Sequence, residues 1–392
     1  MGKVLLAATG VLVATALAAC GSDDGGGDGG GSGGGGEAIV RAAAQDLSAE
    51  EKRTFTDAVL ELKKMPSPFE GYENRSYYDT FVKWHKDAFN CDEETAHMGP
   101  NFLPWHRHFL ILFEAALEKA AGEPVGIPYW DWTDPESTNA VFRNDLMGGN
   151  GDIEKGYALT SGPFRKGEYR LNVLDPKAND PLGLRYVVRQ IGTFPSNETL
   201  PTERDVDRAL TRPEYDVVPF NDQSDPGLSF RNNLEGWRGQ IGQKCVDGLL
   251  TPLTGPGAEA KKHDLHNGVH LWVGGIEGER QGTMDLNTSL NDPVFWLHHA
   301  NIDRIWQAWI EDHGEEYEPA GGWPEPDENL NQAMVPFDEV GQRVTPASLL
   351  DIGKLGYEYA DLPKAESGAD GGGGSATAAA VGPPALGFSC AL

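Results

Sequence analysis

The sequence has few basic residues. Only 32 lysines and arginines stand against 60 aspartates and glutamates in 392 residues, which gives a formal net charge of −28. Nucleic acids and anionic membrane surfaces attract positively charged proteins, so this balance argues against both as partners. It favours solubility and, weakly, small substrates that are neutral or cationic.

Cysteine is scarce as well. The four cysteines, at positions 20, 91, 245 and 390, are far apart in the chain. Structural zinc sites use cysteines at short spacing, and the sequence does not supply such a pair. In an exported chain, four cysteines allow a disulfide, but the sequence alone does not assign it.

Long apolar runs are lacking except near the start. The run from Val4 to Ala19 is 16 residues long, whereas a helix needs about 20 residues to cross a bilayer, so no membrane span is predicted. Lys3 precedes this run, which makes residues 1–19 typical of a secretory signal peptide. The end of the run, Leu-Ala-Ala-Cys20, resembles a bacterial lipobox, whose cysteine is lipidated and becomes the first residue.

Two stretches lack the apolar residues that a packed core requires. Residues 20–37 are almost entirely Gly, Asp and Ser and predict a flexible tether. Residues 365–392 are rich in Gly, Ala and Ser and predict a disordered tail. One large domain at residues 38–364 remains. We expect an exported protein, either a lipoprotein of the cell envelope or extracellular, that touches a membrane only through a lipid anchor at Cys20.

The ten histidines are the most informative feature. His97 and His106 flank a segment in which Pro100 and Pro104 argue against a helix. After Pro104 the pattern becomes helical, and His106 shares the apolar face with Leu110. A histidine on such a face is more often a core residue than a metal ligand, so this stretch alone does not decide the matter.

A second stretch of the same kind decides it. His266 and His270 are four residues apart and lie on one face of a helix. His299 follows in another helical segment, where residues 291–293 (Asn-Asp-Pro) supply a cap and a first-turn proline. The adjacent His298 points about 100° away, so we expect only His299 to face the site. With His85 on an amphipathic segment, the sequence offers two groups of three: His85, His97, His106 and His266, His270, His299.

Two all-histidine groups narrow the choice of metal. Neutral imidazole suits zinc, copper, iron and nickel. Carboxylates and thiolates are missing at ligand spacing, which argues against magnesium, calcium and carboxylate di-iron sites. From the residues alone, a pair of copper ions ranks first and a zinc hydrolase second.

Several motifs, in this order, resemble those of the tyrosinase family. The run His97–Glu114, with Phe-Leu-Pro-Trp-His-Arg at its centre, resembles the first copper signature, and Asp292–Asp303 resembles the second. Leu265–Gly275 is similar to the segment between them. Further matching landmarks are Ile127–Trp132, Leu200–Arg204, Phe230–Trp237 and Leu355–Tyr359. The resemblance covers roughly Ile39 to Pro363 and is closest to the bacterial, Streptomyces-like branch.

The resemblance implies a mainly α fold, in which a four-helix bundle holds a dicopper centre and long irregular loops surround it. It implies two copper ions, Cu A and Cu B, held by the six histidines, with O2 as co-substrate. Monophenols would be hydroxylated and o-diphenols oxidised to o-quinones, so small phenols are the expected substrates. Residues 38–364 would then be the catalytic domain. A copper-delivery protein is a further partner that this resemblance leaves open.

The family pattern also suggests roles for single residues. Glu235 and Asn267 would hold a water that takes the proton of a monophenol. Arg41 would pack on Tyr357 or Tyr359 at the other end of the domain. Asp303 lies four residues after His299, and from this position its carboxylate could accept a hydrogen bond from a ligand imidazole. Before these, residues 39–64 have a helical pattern, with Ser48-Ala-Glu-Glu51 as a capping box.

Some features depart from the family pattern. Residues 240–262 are an insertion relative to Streptomyces-like enzymes, and they put access to the site in doubt. Cys91 lies six residues before His97; the alternatives are a thioether to a histidine, as in fungal, plant and molluscan relatives, and a disulfide with Cys245, which an oxidising compartment favours.

Three alternative functions stay open. A catechol oxidase or an o-aminophenol oxidase would share the metal site but lack monophenolase activity. A hemocyanin-like O2-binding protein is disfavoured, because no large domain that would cap the site is visible in the sequence.

Overall fold

The computed structural model describes residues 38–89, 96–174, 183–236, 243–246, 249–252, 265–278, 280–321, 329–338 and 340–365. Residues 1–37 and 366–392, where the signal peptide, tether and most of the tail are predicted, lie outside these ranges, as do Cys91 and most of the insertion. None of the described helices combines the length and the apolar character that crossing a membrane requires.

The described part of the chain is mainly helical, as predicted. Its helices are α1 (Ala49–Leu62), α2 (Tyr77–Ala88), α3 (Phe102–Ala121), α4 (Pro135–Val141), α5 (Glu203–Leu210), α6 (Phe230–Glu235), α7 (Leu265–Gly274), α8 (Val294–His313) and α9 (Ile352–Leu355). Short strands form three two-stranded sheets: β1 (Ile39–Arg41) with β6 (Tyr357–Tyr359), β2 (Gln243–Val246) with β3 (Leu249–Pro252), and β4 (Ile276–Glu277) with β5 (Arg280–Gln281). Long irregular segments join them.

Aromatic side chains pack α2, α3 and α8 together around the bundle core. The ring of Phe81 on α2 lies 5.3 Å from Phe109 on α3 and 5.6 Å from Trp296 on α8, measured between centroids. Phe113 on α3 stacks on Trp296 at 3.6 Å. All four rings are fully buried, and burial of such side chains contributes about 1.5–3 kcal/mol each. This core fixes the helices from which most of the histidines project.

The helix starts were predicted with mixed success. Ser48 and Glu51 form the expected capping box of α1. The helix starts there, however, and not at residue 39, because residues 39–41 pair as a parallel strand with β6. Helix α3 begins at Phe102 and includes Pro104, which the sequence analysis had placed before the helix. The first turn tolerates proline, since its N–H groups have no intrahelical partner in any case.

Arg41 joins both ends of the domain to its centre. Its guanidinium lies 3.8 Å over the ring of Tyr357, as expected from the family pattern. It also pairs with the carboxylates of Glu114 on α3, at 2.7 Å, and Asp303 on α8, at 2.9 Å. Such a fully buried arginine requires these partners, because an unpaired buried charge is strongly destabilising.

Asp303 is the acceptor at the centre of this network. It accepts hydrogen bonds from Arg41, from Arg107 Nε at 2.6 Å, and from the hydroxyls of Tyr357 and Tyr359 at 2.7 Å each. Burial alone would raise the pKa of Asp303, but the two guanidinium groups lower it below its ordinary value. The expectation that Asp303 bonds a ligand imidazole was therefore wrong: four donors already surround its carboxylate.

Replacing Asp303 by asparagine should lower the free energy of unfolding by about 3–5 kcal/mol, because two buried arginines lose their shared counter-charge. Chemical denaturation of the metal-free protein measures this loss. Glu61→Gln is the control, since the pair of Glu61 with Lys64 is exposed and should contribute less than about 1 kcal/mol. A loss for Asp303→Asn no larger than that of the control would contradict the central role of this network.

Candidate metal centre

Seven buried or nearly buried histidines meet inside the helical core in two groups. The first group is His85 on α2, His97 before α3, and His106 in the first turns of α3; their potential ligand atoms lie within 4.8 Å of one another. The second group is His266 and His270 on α7 with His298 and His299 on α8, to which the same limit applies. The structure thus brings together all six histidines that the sequence singled out, and adds His298.

In the first group, backbone carbonyls orient the rings. His85 Nδ1 donates to the carbonyl of Asn287 at 2.9 Å, and His106 Nδ1 donates to that of Phe102 at 2.8 Å. Because a carbonyl only accepts, the proton of each ring lies on Nδ1, and Nε2 carries the lone pair. Both Nε2 atoms are buried and have no hydrogen-bond partner among the described residues. Two lone pairs directed into the interior of the protein are the ligand atoms that a metal ion requires.

The second group has the same design. His270 Nδ1 donates to the carbonyl of Met284 at 2.7 Å, and His266 Nδ1 donates to Asn267 Oδ1 at 2.8 Å. The Nε2 atoms of His266 and His270 then lie 3.3 Å and 3.4 Å from Nε2 of His299. One proton on His299 cannot satisfy two lone pairs at once, whereas a cation among the three nitrogens can. The donor set therefore fits a metal ion.

The two groups lie side by side. The rings of His106 and His299 stack with their centroids 4.2 Å apart and an angle of 15° between their planes. His97 and His266 face each other at 6.1 Å. Two ions held by these groups would therefore be close neighbours, as a binuclear centre requires.

Burial keeps the imidazoles uncharged. It lowers the pKa of His85 to about 3 and that of His270 to about 4. Burial, together with the neighbouring rings, lowers the pKa well below its ordinary value in the other members of both groups: His97, His106, His266, His298 and His299. Metals bind the neutral form, so the fold presents ligands that are ready at neutral and mildly acidic pH.

The position of His298 differs from the expectation that only His299 turns inward. Its ring is fully buried, stacks on His266 at 5.2 Å, and lies 5.6 Å from Trp132. Neither ring nitrogen has a partner that meets hydrogen-bond distance and angle in the described part of the chain. Both residues line the site, because each of their rings lies within 5.6 Å of the rings of His266 and His270 on α7. The His-His doublet in the sequence was the signal for this.

Glu235 is held next to the first group. Its Oε1 accepts the backbone N–H of Met98, the residue after His97, at 2.6 Å, and its Oε2 accepts from Arg231 at 2.9 Å. Arg231 also pairs with Asp216 at 2.7 Å, and all three side chains are fully buried. The local sequence pattern does not single out Arg231, although this residue lies within the Phe230–Trp237 landmark.

Asn267 is held next to the second group. Its Oδ1 accepts a hydrogen bond from Nδ1 of His266, whereas its Nδ2 is buried and has no hydrogen-bond partner in the described ranges. Each of the two predicted water-holding residues thus contacts a segment that carries a histidine of a different group. Asn267 Nδ2 is thus a donor beside His266 that has no hydrogen-bond partner among the described residues.

Comparisons with known proteins agree with this arrangement. The common central domain of tyrosinase matches residues 75–312. The tyrosinase of Streptomyces antibioticus is 38% identical over 320 residues, which cover 80% of this chain and 96% of that protein. Grixazone synthase of Streptomyces griseus is 35% identical over 348 residues, or 82% of this chain and 98% of that protein.

Solved structures share the fold. The polyphenol oxidase of Thermothelomyces thermophila matches with a TM-score of 0.54 and 24% identity, over 83% of this chain and 89% of that chain. The family domain extends over more than half of the sequence, and the Streptomyces relatives are covered almost from end to end. These matches show that the chain belongs to the tyrosinase family of copper oxidases.

Proposed function

We propose that this protein hydroxylates monophenols at the ortho position and oxidises o-diphenols to o-quinones with O2. The observation that carries the proposal is the pair of adjacent histidine groups, whose neutral rings direct ligand atoms inward. When bound, two copper ions supply the binding of O2 and its reduction coupled to oxidation of the phenol. The family match favours copper over the zinc hydrolase that the residues alone left open.

The proposed ligands of one copper are His85, His97 and His106; those of the other are His266, His270 and His299. The choice of His299 over His298 rests on Nε2 of His299, which is within 3.4 Å of Nε2 of both His266 and His270. His298 has no such contact among the described residues. We therefore assign His298 to the wall of the site and not to the metal.

Glu235 and Asn267 are proposed to hold the water that takes the proton of a monophenol. A free phenol has a pKa of about 10, so it needs help to lose this proton at neutral pH. Arg231 donates a hydrogen bond to Oε2 of Glu235 and so fixes the position of this oxygen. Asn267 contributes the unpaired Nδ2 donor. Catechols depend less on this water than monophenols do, because their oxidation does not begin with hydroxylation of the ring.

The identity of the ligands can be tested by copper analysis. His106→Ala and His299→Ala should each lower the copper content from two ions to about one per chain and abolish activity, because three imidazoles hold each ion. His298→Ala should retain both ions. His313→Gln is the control, since His313 stacks on Trp309 at the end of α8. Copper loss with His298→Ala but not with His299→Ala would reverse the assignment, and zinc in the purified protein would refute it.

The monophenolase role can be tested by comparing two substrates. Glu235→Gln removes the charge of the carboxylate and Asn267→Asp removes the Nδ2 donor, so each should impair positioning of the water. Each should lower kcat/KM for a monophenol by roughly 100-fold more than for the matching catechol, a size typical of lost general base catalysis. Both changes keep a side-chain oxygen for the bond to Met98 or His266.

Asp216→Asn is the matched control for this test, because it also removes a carboxylate from Arg231 but not the proposed base. It should affect both substrates equally. Equal losses in all three variants would mean that these residues only support the fold. An o-aminophenol should be assayed in parallel, because grixazone synthase is 35% identical to this chain and its name is not tyrosinase. A wild-type protein active on catechols or o-aminophenols alone would favour one of the rival oxidases.

We also propose that the protein is exported and anchored through a lipid on Cys20, with residues 20–37 as the tether. The signal-like run and the lipobox-like sequence support this proposal. A copper-delivery protein is proposed as a partner, since six of the seven histidines in the two groups are buried and only His270 is partly exposed.

Expression of Cys20→Ser should move the enzyme from the membrane fraction to the soluble fraction, because the lipid is its proposed attachment. Incorporation of a labelled fatty acid provides the direct readout, and it should be lost in this variant. Cys390→Ser serves as the control. An unlabelled wild-type protein would exclude the anchor and leave ordinary secretion.

A further inference from the structure

Residues 283–291 form a short buried segment between β5 and α8. The segment contains two turns of 3-10 helix, Thr283–Asp285 and Ser289–Asn291. Most of its side chains are buried, including Leu290, which is fully enclosed. None of its residues is a proposed ligand, and we refer to it as the bridging segment.

The bridging segment bonds one histidine of each metal group. Its Met284 carbonyl accepts from His270 Nδ1 at 2.7 Å, in the second group. Its Asn287 carbonyl, three residues later, accepts from His85 Nδ1 at 2.9 Å, in the first group. The two histidines lie on different helices, and the sequence separates His85 from the segment by about 200 residues. Two imidazoles that bind different ions are therefore oriented by one stretch of backbone.

Both ends of the bridging segment are tied to the rest of the domain. At the start, the hydroxyl of Thr283 accepts the N–H of Val188, and the N–H of Thr283 donates to the carbonyl of Val188, both at 2.9 Å. At the end, the carbonyl of Leu290 accepts from the hydroxyl of Tyr78 at 2.6 Å. Tyr78 lies on α2, two turns before His85 and on the same face. The segment thus contacts both the ring of His85 and the helix that carries it.

Close packing leaves the segment little freedom to move relative to α7. A Cβ added to Gly274, the last residue of α7, would lie 2.9 Å from the backbone nitrogen of Asp285. A Cβ added to Gly282 would lie 2.0 Å from the carbonyl oxygen of Gly274. Backbone therefore packs against backbone here, and a shift of α7 would displace the segment with it.

We propose that the bridging segment couples the two metal groups, so that binding of the first copper strengthens binding of the second. An ion bound to either group fixes its imidazoles, and through Nδ1 it fixes the carbonyl that this ring bonds. The same backbone then holds the other imidazole in its binding orientation before the second ion arrives. The imidazoles of the second group are then already ordered when the second ion binds, and this raises their affinity for that ion.

This inference rests on the proposed copper centre, but not on its reaction with phenols. Couplings between sites typically change affinity by about 5–150-fold. Two cations at adjacent sites also repel each other, which weakens the second binding step. That repulsion is the same in wild type and in a variant altered only in the bridging segment. The difference between the two therefore isolates the contribution of the segment.

Two isosteric substitutions loosen the segment without touching a histidine. Thr283→Val removes the acceptor for Val188 N–H, and Thr283→Ser, which keeps the hydroxyl, is its matched control. Tyr78→Phe removes the hydrogen bond to the carbonyl of Leu290. Tyr77→Phe is its control, because the hydroxyl of Tyr77 makes no hydrogen bond among the described residues. Tyr78 also accepts from Trp296 Nε1 at 3.1 Å, so thermal unfolding should be recorded for each variant.

The measurement is native mass spectrometry of the full-length protein during anaerobic titration with Cu(I), which counts chains carrying no, one or two ions. A roughly 10-fold coupling puts about a quarter of the wild-type chains in the one-ion state at half saturation, whereas independent equal sites put about half there. We expect Thr283→Val and Tyr78→Phe to raise this fraction toward one half or above. The two controls should match wild type, and all folded variants should still bind two ions at saturation.

Three outcomes separate the hypotheses. A lower one-ion fraction in Thr283→Val and Tyr78→Phe than in the wild type overturns the coupling, because loosening the segment would then favour binding of the second ion. If Thr283→Val and Tyr78→Phe have the same one-ion fraction as the wild type, the bridging segment does not carry the coupling. Binding of fewer than two ions by the wild type at saturation counts instead against the proposed dicopper centre, and it is read from the same spectra.

Discussion

Hydrogen bonds from imidazole Nδ1 to backbone carbonyls are the interaction on which the site depends. They place the proton of His85, His106 and His270 on the outer nitrogen, and so leave the inner nitrogen as a ligand. A side-chain acceptor can rotate about its own bonds, whereas a carbonyl moves only together with the backbone that carries it. Burial acts in the same direction, because it lowers the pKa of each ring and keeps the inner lone pair free of a proton.

A charged network in the middle of the bundle joins two of the helices that carry histidines of the site. Asp303 on α8 binds Arg107 on α3, and it binds Arg41, which reaches Glu114 further along α3. Through Arg41 the network also reaches β1. Burying so many charges stabilises the fold only if all the partners are in place at once. The result is that α3 and α8, which carry His106 and His299, are held in one register.

Periodicity and spacing predicted the local features well. The i, i+4 pair His266 and His270, the capping box at Ser48, and the helical phase of His106 all depend on residues close in sequence. Contacts between distant segments were not predictable in this way. The four donors of Asp303, the strand at Ile39, and the carbonyls of Met284 and Asn287 arise only when remote parts of the chain meet. His298 was missed because the rule for one helix face ignores α7, whose His266 and His270 lie near the rings of both His298 and His299.

The parallel pairing of β1 with β6 has a consequence for how the protein is made. Arg41 and Tyr359 are in direct hydrogen-bond contact across 318 residues of sequence, so nearly the whole domain must leave the ribosome before this contact can form. In a chain that is still being synthesised, Arg41 does not yet contact Tyr357, Tyr359 and the carboxylate of Asp303 together. Until Tyr359 has been synthesised, the fully buried charge of Arg41 cannot be enclosed as it is in the folded domain. The pairing of β1 with β6 is therefore one of the last contacts that can complete the buried centre.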